Sequence, residues 1–375
     1  MKIVITISVW FSFLFLSCSK KISNTENATR SFYMGTTPWP AALTISEVEK
    51  TYQFINNNCD IVAHHFDEGI PFEEAFTNTA MPSKLVENVN FRKTKTASEK
   101  KVFLSVAALS IFRNTKAPYY TQANTASNIK NNWEQLPFND AKIITAYVNY
   151  ISWLINQFNP IYVNYGVESN SQNWDAQEFL KYKFFLQQVY TQLKLMYPTI
   201  PFFISYIVDE SNAGYQFATQ LINYTDFIGL SAYPYISISS SSNGNTNPQN
   251  FPINYFEKFI NIQIDKPLAF AETGYIAQNM LIPAYNLNKE ANTNWQDNYL
   301  QIVLNLCKTK NAKLLIWFCP KDYDEMVTAT INQGTATQET INLLSLWKDI
   351  GLIDENGNAR PAYNTWINWY NKKKQ

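Results

Sequence analysis

The apolar positions of this chain change their period repeatedly. From residue 32 onward, short and nearly continuous apolar runs, rich in β-branched and aromatic residues, alternate with longer stretches of helical period. The runs at 32–35, 61–65, 102–107, 161–165, 202–207, 227–231, 268–271 and 314–318 read as strands. Strands this uniformly apolar belong to a parallel sheet covered on both faces. Eight strand–helix units predict an α/β chain folded as a single (β/α)8 TIM barrel over residues 31–375.

The helices have readable ends. Thr44 with Glu47 forms a capping box for a helix toward Asn58, and Asp140 opens an amphipathic stretch that Asn159 and Pro160 close. Helices are also expected over 179–197, stopped by Pro198, over 295–307, and over 340–350, with Gly351 placed to end the last. Two enlarged loops follow strands, 114–139 after the third and 237–250 after the sixth. Both therefore fall on the face where barrels of this type build their sites.

Ahead of the first strand, Lys2 precedes an apolar run from Ile3 to Leu16 that stops at Ser17, Cys18, Ser19, Lys20 and Lys21. The run is too short to span a bilayer and has the layout of an export signal over residues 1–17. It resembles a bacterial lipoprotein signal, which implies a lipid on Cys18 and an exported protein on an outer-membrane, cell-surface or periplasmic membrane face. Residues 18–30, rich in Ser, Lys, Asn and Thr, read as a tether.

Basic and acidic residues balance at 30 each, and beyond Lys372, Lys373 and Lys374 no basic run stands out, so nucleic acid is not an expected partner. Only 16% of residues are charged while 15% are aromatic, which suits flat uncharged ligands such as sugars. Cys59, Cys307 and Cys319 stand at no metal or redox spacing and are expected to be buried thiols. No metal or cofactor is implied, and a monomer is expected.

Two carboxylates stand at strand ends. Glu168 closes the fourth run and Glu272 the seventh, across the mouth of a barrel from each other. Glycosidic hydrolysis with retention requires such a pair, one acid to protonate the leaving oxygen and one carboxylate to attack the anomeric carbon.

The stretches Asp226-Phe227-Ile228-Gly229-Leu230-Ser231-Ala232-Tyr233-Pro234-Tyr235, Ala271-Glu272-Thr273-Gly274-Tyr275 and Ile316-Trp317-Phe318 resemble glycoside hydrolase clan A. Gly351-Leu352-Ile353-Asp354 and Arg360-Pro361-Ala362-Tyr363 extend the likeness, which is nearest to the arabinogalactan endo-β-1,4-galactanases of family 53. The resemblance implies Glu272 as nucleophile, Glu168 as acid/base, Tyr233 orienting the nucleophile and Trp317 as a floor beneath the sugar. One departure is that Val167 occupies the place of the asparagine whose amide binds the sugar 2-hydroxyl in that clan, with Asn170 or Asn164 as substitutes.

His64 and His65 end the second strand, and alternation sends them to opposite faces, so they do not chelate one metal. One of them, with Asp67 or Glu68, is expected at the barrel rim. Trp39, Arg113, Trp174 and Tyr235 are further candidates for sugar contacts. The sequence thus points to a retaining β-glycosidase acting within a polysaccharide. A silent carbohydrate-binding lipoprotein on the same scaffold is the alternative that Val167 keeps open.

Overall fold

The computed structural model describes residues 29–121, 127–237, 244–252, 254–334 and 336–375. Cys18 and the export signal lie outside the described residues, as does the middle of each enlarged loop. Eight parallel strands close into a barrel: β1 (Tyr33–Thr36), β2 (Ile61–Phe66), β3 (Lys101–Val106), β4 (Tyr162–Gly166), β5 (Phe202–Ile207), β6 (Ile228–Ala232), β7 (Leu268–Thr273) and β8 (Leu314–Trp317). Neighbours in sequence are neighbours in the sheet, and β8 pairs with β1 to close the ring. The chain has the (β/α)8 fold that its hydrophobic rhythm predicts.

Around the barrel run α1 (Ile45–Asn58), α2 (Ser83–Lys95), α3 (Ala141–Phe158), α4 (Ala176–Met196), α5 (Asn212–Leu221), α6 (Thr293–Thr309) and α7 (Pro361–Tyr370). Thr44 caps α1 by accepting from the Glu47 N–H at 3.2 Å, but the Glu47 side chain pairs with Lys50 rather than completing the box. Asp140 caps α3, and Asn159 ends it in the left-handed conformation. The last helical run is a correction. It covers only Gln338–Leu344, and Gly351 does not end it. A Cβ on Gly351 would stand 2.3 Å from the Asp322 nitrogen, so this glycine serves a close chain crossing instead. The helix that closes the eighth unit is α7, opened by Pro361 at its first position.

Alternation along each strand divides the core in two. Outward side chains such as Met34, Val62, Phe270 and Trp317 pack under the helices, while Ile61, Phe103, Phe203, Phe227, Ala269, Leu314 and Ile316 fill the interior. The rings of Phe103 and Phe203 stack at 5.5 Å across it. Gly229 makes room for them, since a Cβ there would come within 2.8 Å of Phe203. Toward the carboxyl ends the filling turns polar, with Ser105, Asn164, Ser205 and Ser231 buried there. The apolar layers therefore hold the barrel shut and leave a hydrogen-bonding floor beneath its mouth. Cys59, Cys307 and Cys319 are buried free thiols.

Candidate active site

The mouth of the barrel opens into a cleft of about 740 Å³, whose walls include Glu168, Glu272, His65, Asp67, Glu68, Arg113 and Trp39. It continues past β2 to Asn88 and Phe91 on α2, facing Val48 and Tyr52 of α1. The opposite wall is aromatic and aliphatic, made by Phe318, Tyr323, Leu343, Leu344 and Trp347.

Irregularities in the strands aim the two glutamates. Along β6 and β7, Leu230 pairs with Phe270 but Ser231 with Glu272, so Ala271 is an extra residue in β7. Simple alternation would send Glu272 outward with Leu268 and Phe270. The bulge resets the phase, so Glu272 reaches the cleft while Thr273 turns outward to Tyr299 at 2.7 Å. On β4 the register slips likewise between Asn164 and Gly166. Glu168 follows two residues beyond that strand with φ of 50°, a left-handed backbone that non-glycine residues rarely hold. Its N–H donates to Ser205 Oγ at 3.0 Å, and that hydroxyl also lies 3.0 Å from the Asn164 amide.

The surroundings of the two carboxyls differ. Glu168 accepts from Arg113 Nε at 2.8 Å and from Ser231 Oγ at 2.6 Å. Burial drives its pKa upward, but the Arg113 charge and hydrogen bond, the Ser231 hydroxyl and the His65 ring outweigh it, and the group sits below the ordinary carboxylate value. Glu272 accepts from the Tyr233 hydroxyl at 2.5 Å. Burial, helped by the negative charge of Glu168, raises it above the usual value despite His65, Tyr233 and Arg113. Of the two carboxyls, Glu272 is therefore the one whose charged form its surroundings favour less. His65 lies 3.4 Å from Asp67. Burial opposes its charge, but Asp67 and Glu272 prevail and raise its pKa.

Trp39, His65, Asp67, Glu68 and Arg113 line the cleft as the sequence suggests, and Tyr233 meets Glu272. Five other expectations need correction. His64 faces outward, its ring 4.7 Å from Phe158 and its Nε2 bonded to Thr96, because alternation on β2 gives the interior to His65. Trp317 is fully buried beneath the helices and donates to the Ile350 carbonyl at 2.8 Å, so Phe318, one residue on, reaches the cleft in its place. Asn170 is spent on backbone, accepting from Ile207 N–H at 2.7 Å and donating to the Ile207 and Gly214 carbonyls. Trp174 stacks on Tyr182 and donates to the Ser169 carbonyl. Tyr235 is buried with its hydroxyl on the Leu346 carbonyl. The polar groups of Trp317, Asn170, Trp174 and Tyr235 are bonded within the fold, and His64 is so bonded through Nε2, so these side chains are turned away from the cleft.

Sequence reasoning missed Phe318, Tyr323 and Trp347, and the α2 wall. Tyr323 and Trp347 lie in the segment that follows β8, brought over the mouth by a buried ion pair in which Arg360 meets Asp322 at 2.5 Å. Asp322 also accepts from Gly351 N–H, and Arg360 donates to the Gly351 carbonyl. The motifs around Gly351 and Arg360 thus secure this wall. Among the described residues, Asp322, Asp324 and Glu355 are the carboxylates close enough to bracket a cation. They are not part of the cleft lining, and Arg360 and Lys348 already neutralise two of them.

The geometry defines a (β/α)8 barrel with two unlike carboxyls at its mouth and an aromatic wall beside them. No protein-family model matches the sequence, and no curated protein matches it. Among solved structures the chain is similar to an exo-β-1,4-mannosidase from Opitutaceae bacterium strain TAV5, with 13% identity and a TM-score of 0.61 over 94% of this chain. This chain spans 62% of that protein's length. It is also similar to xylanase 10B from Thermotoga maritima, with 13% identity and a TM-score of 0.56 over 91% of this chain and 95% of that one. A GH5_18 protein from Streptomyces cattleya, solved with Manβ1-4GlcNAc, gives 10% identity and 0.58 over 90% and 80% of the two chains. At such identities the likeness establishes the fold.

Proposed function

We propose that the cleft is the active site of a retaining glycoside hydrolase acting on β-linked glycans. The observation that carries this reading is the convergence of Glu168 and Glu272 on one cleft, the latter held by Tyr233. Glu272 attacks the anomeric carbon and forms a glycosyl-enzyme ester while Glu168 gives its proton to the departing oxygen. In the second step Glu168 takes a proton from water, and that water displaces Glu272. The barrel folds of the mannosidase and xylanase named above are in keeping with this chemistry.

The first step needs a proton on Glu168, whose pKa the Arg113 charge lowers. Loosening of the Arg113–Glu168 pair on sugar binding would raise that pKa and favour the acid role. The reach of the cleft from the carboxyls to Phe91 supports a substrate of several sugar units cut internally, and the galactanase-like motifs make β-1,4-galactan the first polymer to assay. Export and a lipid on Cys18 belong to the same reading, checked by the mass of the N-terminal peptide.

A second reading, a barrel that binds glycan without cutting it, is favoured by Val167 and by the full engagement of the Asn170 amide, which leave the 2-hydroxyl without its expected partner. Hydrolysis of aryl β-glycosides and a panel of β-glycans by wild type, Glu168→Gln and Glu272→Gln separates the two. Turnover by wild type that both substitutions abolish supports the hydrolase. Glycan binding without turnover in any of the three sinks it.

A further inference from the structure

The end of the barrel opposite the cleft carries a concentration of positive charge that the balanced totals conceal. Lys101 is the first residue of β3, and Lys310 and Lys313 lead into β8. The C-terminal Lys373–Lys374 pairs in parallel with Thr29–Arg30, and Lys374 Nζ stands 3.9 Å from the ring of Tyr33, the first residue of β1. Lys372 joins them, its ammonium pushed below its usual pKa by burial and by the nearby charge of Lys308. Of the acids in the loops that lead into the strands, Asp60 and Asp226 are already paired with Arg30 and Lys194, which leaves Glu99 and Asp265 exposed. The acids of the cleft lie at the other ends of the strands, about 15–20 Å away for strands of this length.

Thr29, which continues directly from the segment holding Cys18, Lys20 and Lys21, sits on this basic end. We propose that this face docks on an anionic phospholipid surface and so turns the cleft away from the membrane. Clustered lysines bind such a surface additively, each raising the partition about fivefold, and a lipid chain next to a basic patch is the usual two-part anchor. Docking also fixes which way the barrel points, which a tether alone leaves free.

The test uses the full chain with vesicles of phosphatidylcholine alone or of equal parts phosphatidylcholine and phosphatidylglycerol. Lysine acetylation rates are read by mass spectrometry. Lys101, Lys310 and Lys373 are expected to react several-fold more slowly on the anionic vesicles, with the protection lost in high salt, while Lys84 and Lys142 of the opposite end are unchanged. Equal rates on the two compositions, or equal protection of both sets, overturns the proposal. In the triple variant Lys101→Glu/Lys310→Glu/Lys373→Glu, the composition dependence at Lys313 is expected to vanish, and its persistence would count equally against the proposal. The contrast stands whether or not Cys18 carries lipid, and it is independent of turnover in the cleft.

Discussion

Arg113, after β3, and Glu168, after the adjoining β4, meet at the barrel mouth at 2.8 Å, and both hold a left-handed backbone, with φ of 58° and 50°. Two such residues cost about 1–3 kcal/mol each. One charge-assisted bond contributes roughly 1.5–3 kcal/mol, which at mid-range offsets about half of the combined strain. The buried hydroxyls of Ser205 and Ser231 beneath Glu168 help to hold the arrangement. Strain kept in this way at a cleft marks a place where charge position matters more than stability.

Replacing Arg113 with Gln removes the cation that keeps Glu168 ionised. The Glu168 pKa is expected to rise. The sign follows from its lowered value in the fold: the pair's stabilisation is present above the unfolded carboxylate pKa and is lost as pH falls through the folded one. A carbon-13 titration of the Glu168 carboxyl measures the shift directly, and an unmoved titration would show that Arg113 does not set this proton.

Tyr233→Phe takes away the hydroxyl that donates to Glu272. A charged hydrogen bond of roughly 1.5–3 kcal/mol corresponds to a loss of about 10- to 100-fold in kcat/KM on a reactive aryl glycoside. Because Glu272 is already raised and loses a stabilising partner, the acidic limb of the profile moves to higher pH. Steady-state rates over a pH series report both effects, and an unchanged acidic limb counts against the role of Tyr233.

Burial opposes the charge of His65, and Asp67 together with Glu272 outweighs it and raises its pKa. The stabilisation it contributes is complete below the unfolded histidine value of about 6.5 and disappears as pH rises through the folded value. The Tm difference between wild type and His65→Gln should accordingly be largest in mildly acidic solution and shrink toward pH 9. A difference that stays constant across that range would refute the pairing.

Arg360→Met leaves Asp322 buried and uncompensated. The cost expected is about 3–5 kcal/mol, seen as a lower urea midpoint, and converting Asp322 to Leu in the same chain should recover part of it. No recovery in the double variant would mean that Arg360 acts mainly by packing.

The eight strands were legible because burial on both faces of a parallel sheet leaves a continuous local signature, and each predicted run overlaps its observed strand. Pattern alone left His64 and His65 undecided, although an unbroken β2 then follows simple alternation. At β8 the same rule, applied from Leu314, turns Trp317 outward and Phe318 toward the cleft; the motif resemblance pointed to the wrong one of the two. The α7 helix carried its own signal in Pro361, a residue favoured at the first helical position.

By itself, then, the sequence determined the number and order of the strands, the helix caps at Thr44 and Asp140, and the position of two acidic groups at strand ends. These depend on neighbours a few residues away. The tertiary structure decided that a bulge at Ala271 turns Glu272 inward, that Arg113 takes Glu168, and that Arg360 draws Tyr323 and Trp347 over the mouth. It also decided that lysines scattered along the chain share one end of the barrel. Each of these depends on segments far apart in the chain being brought together by barrel closure, and no local period records that.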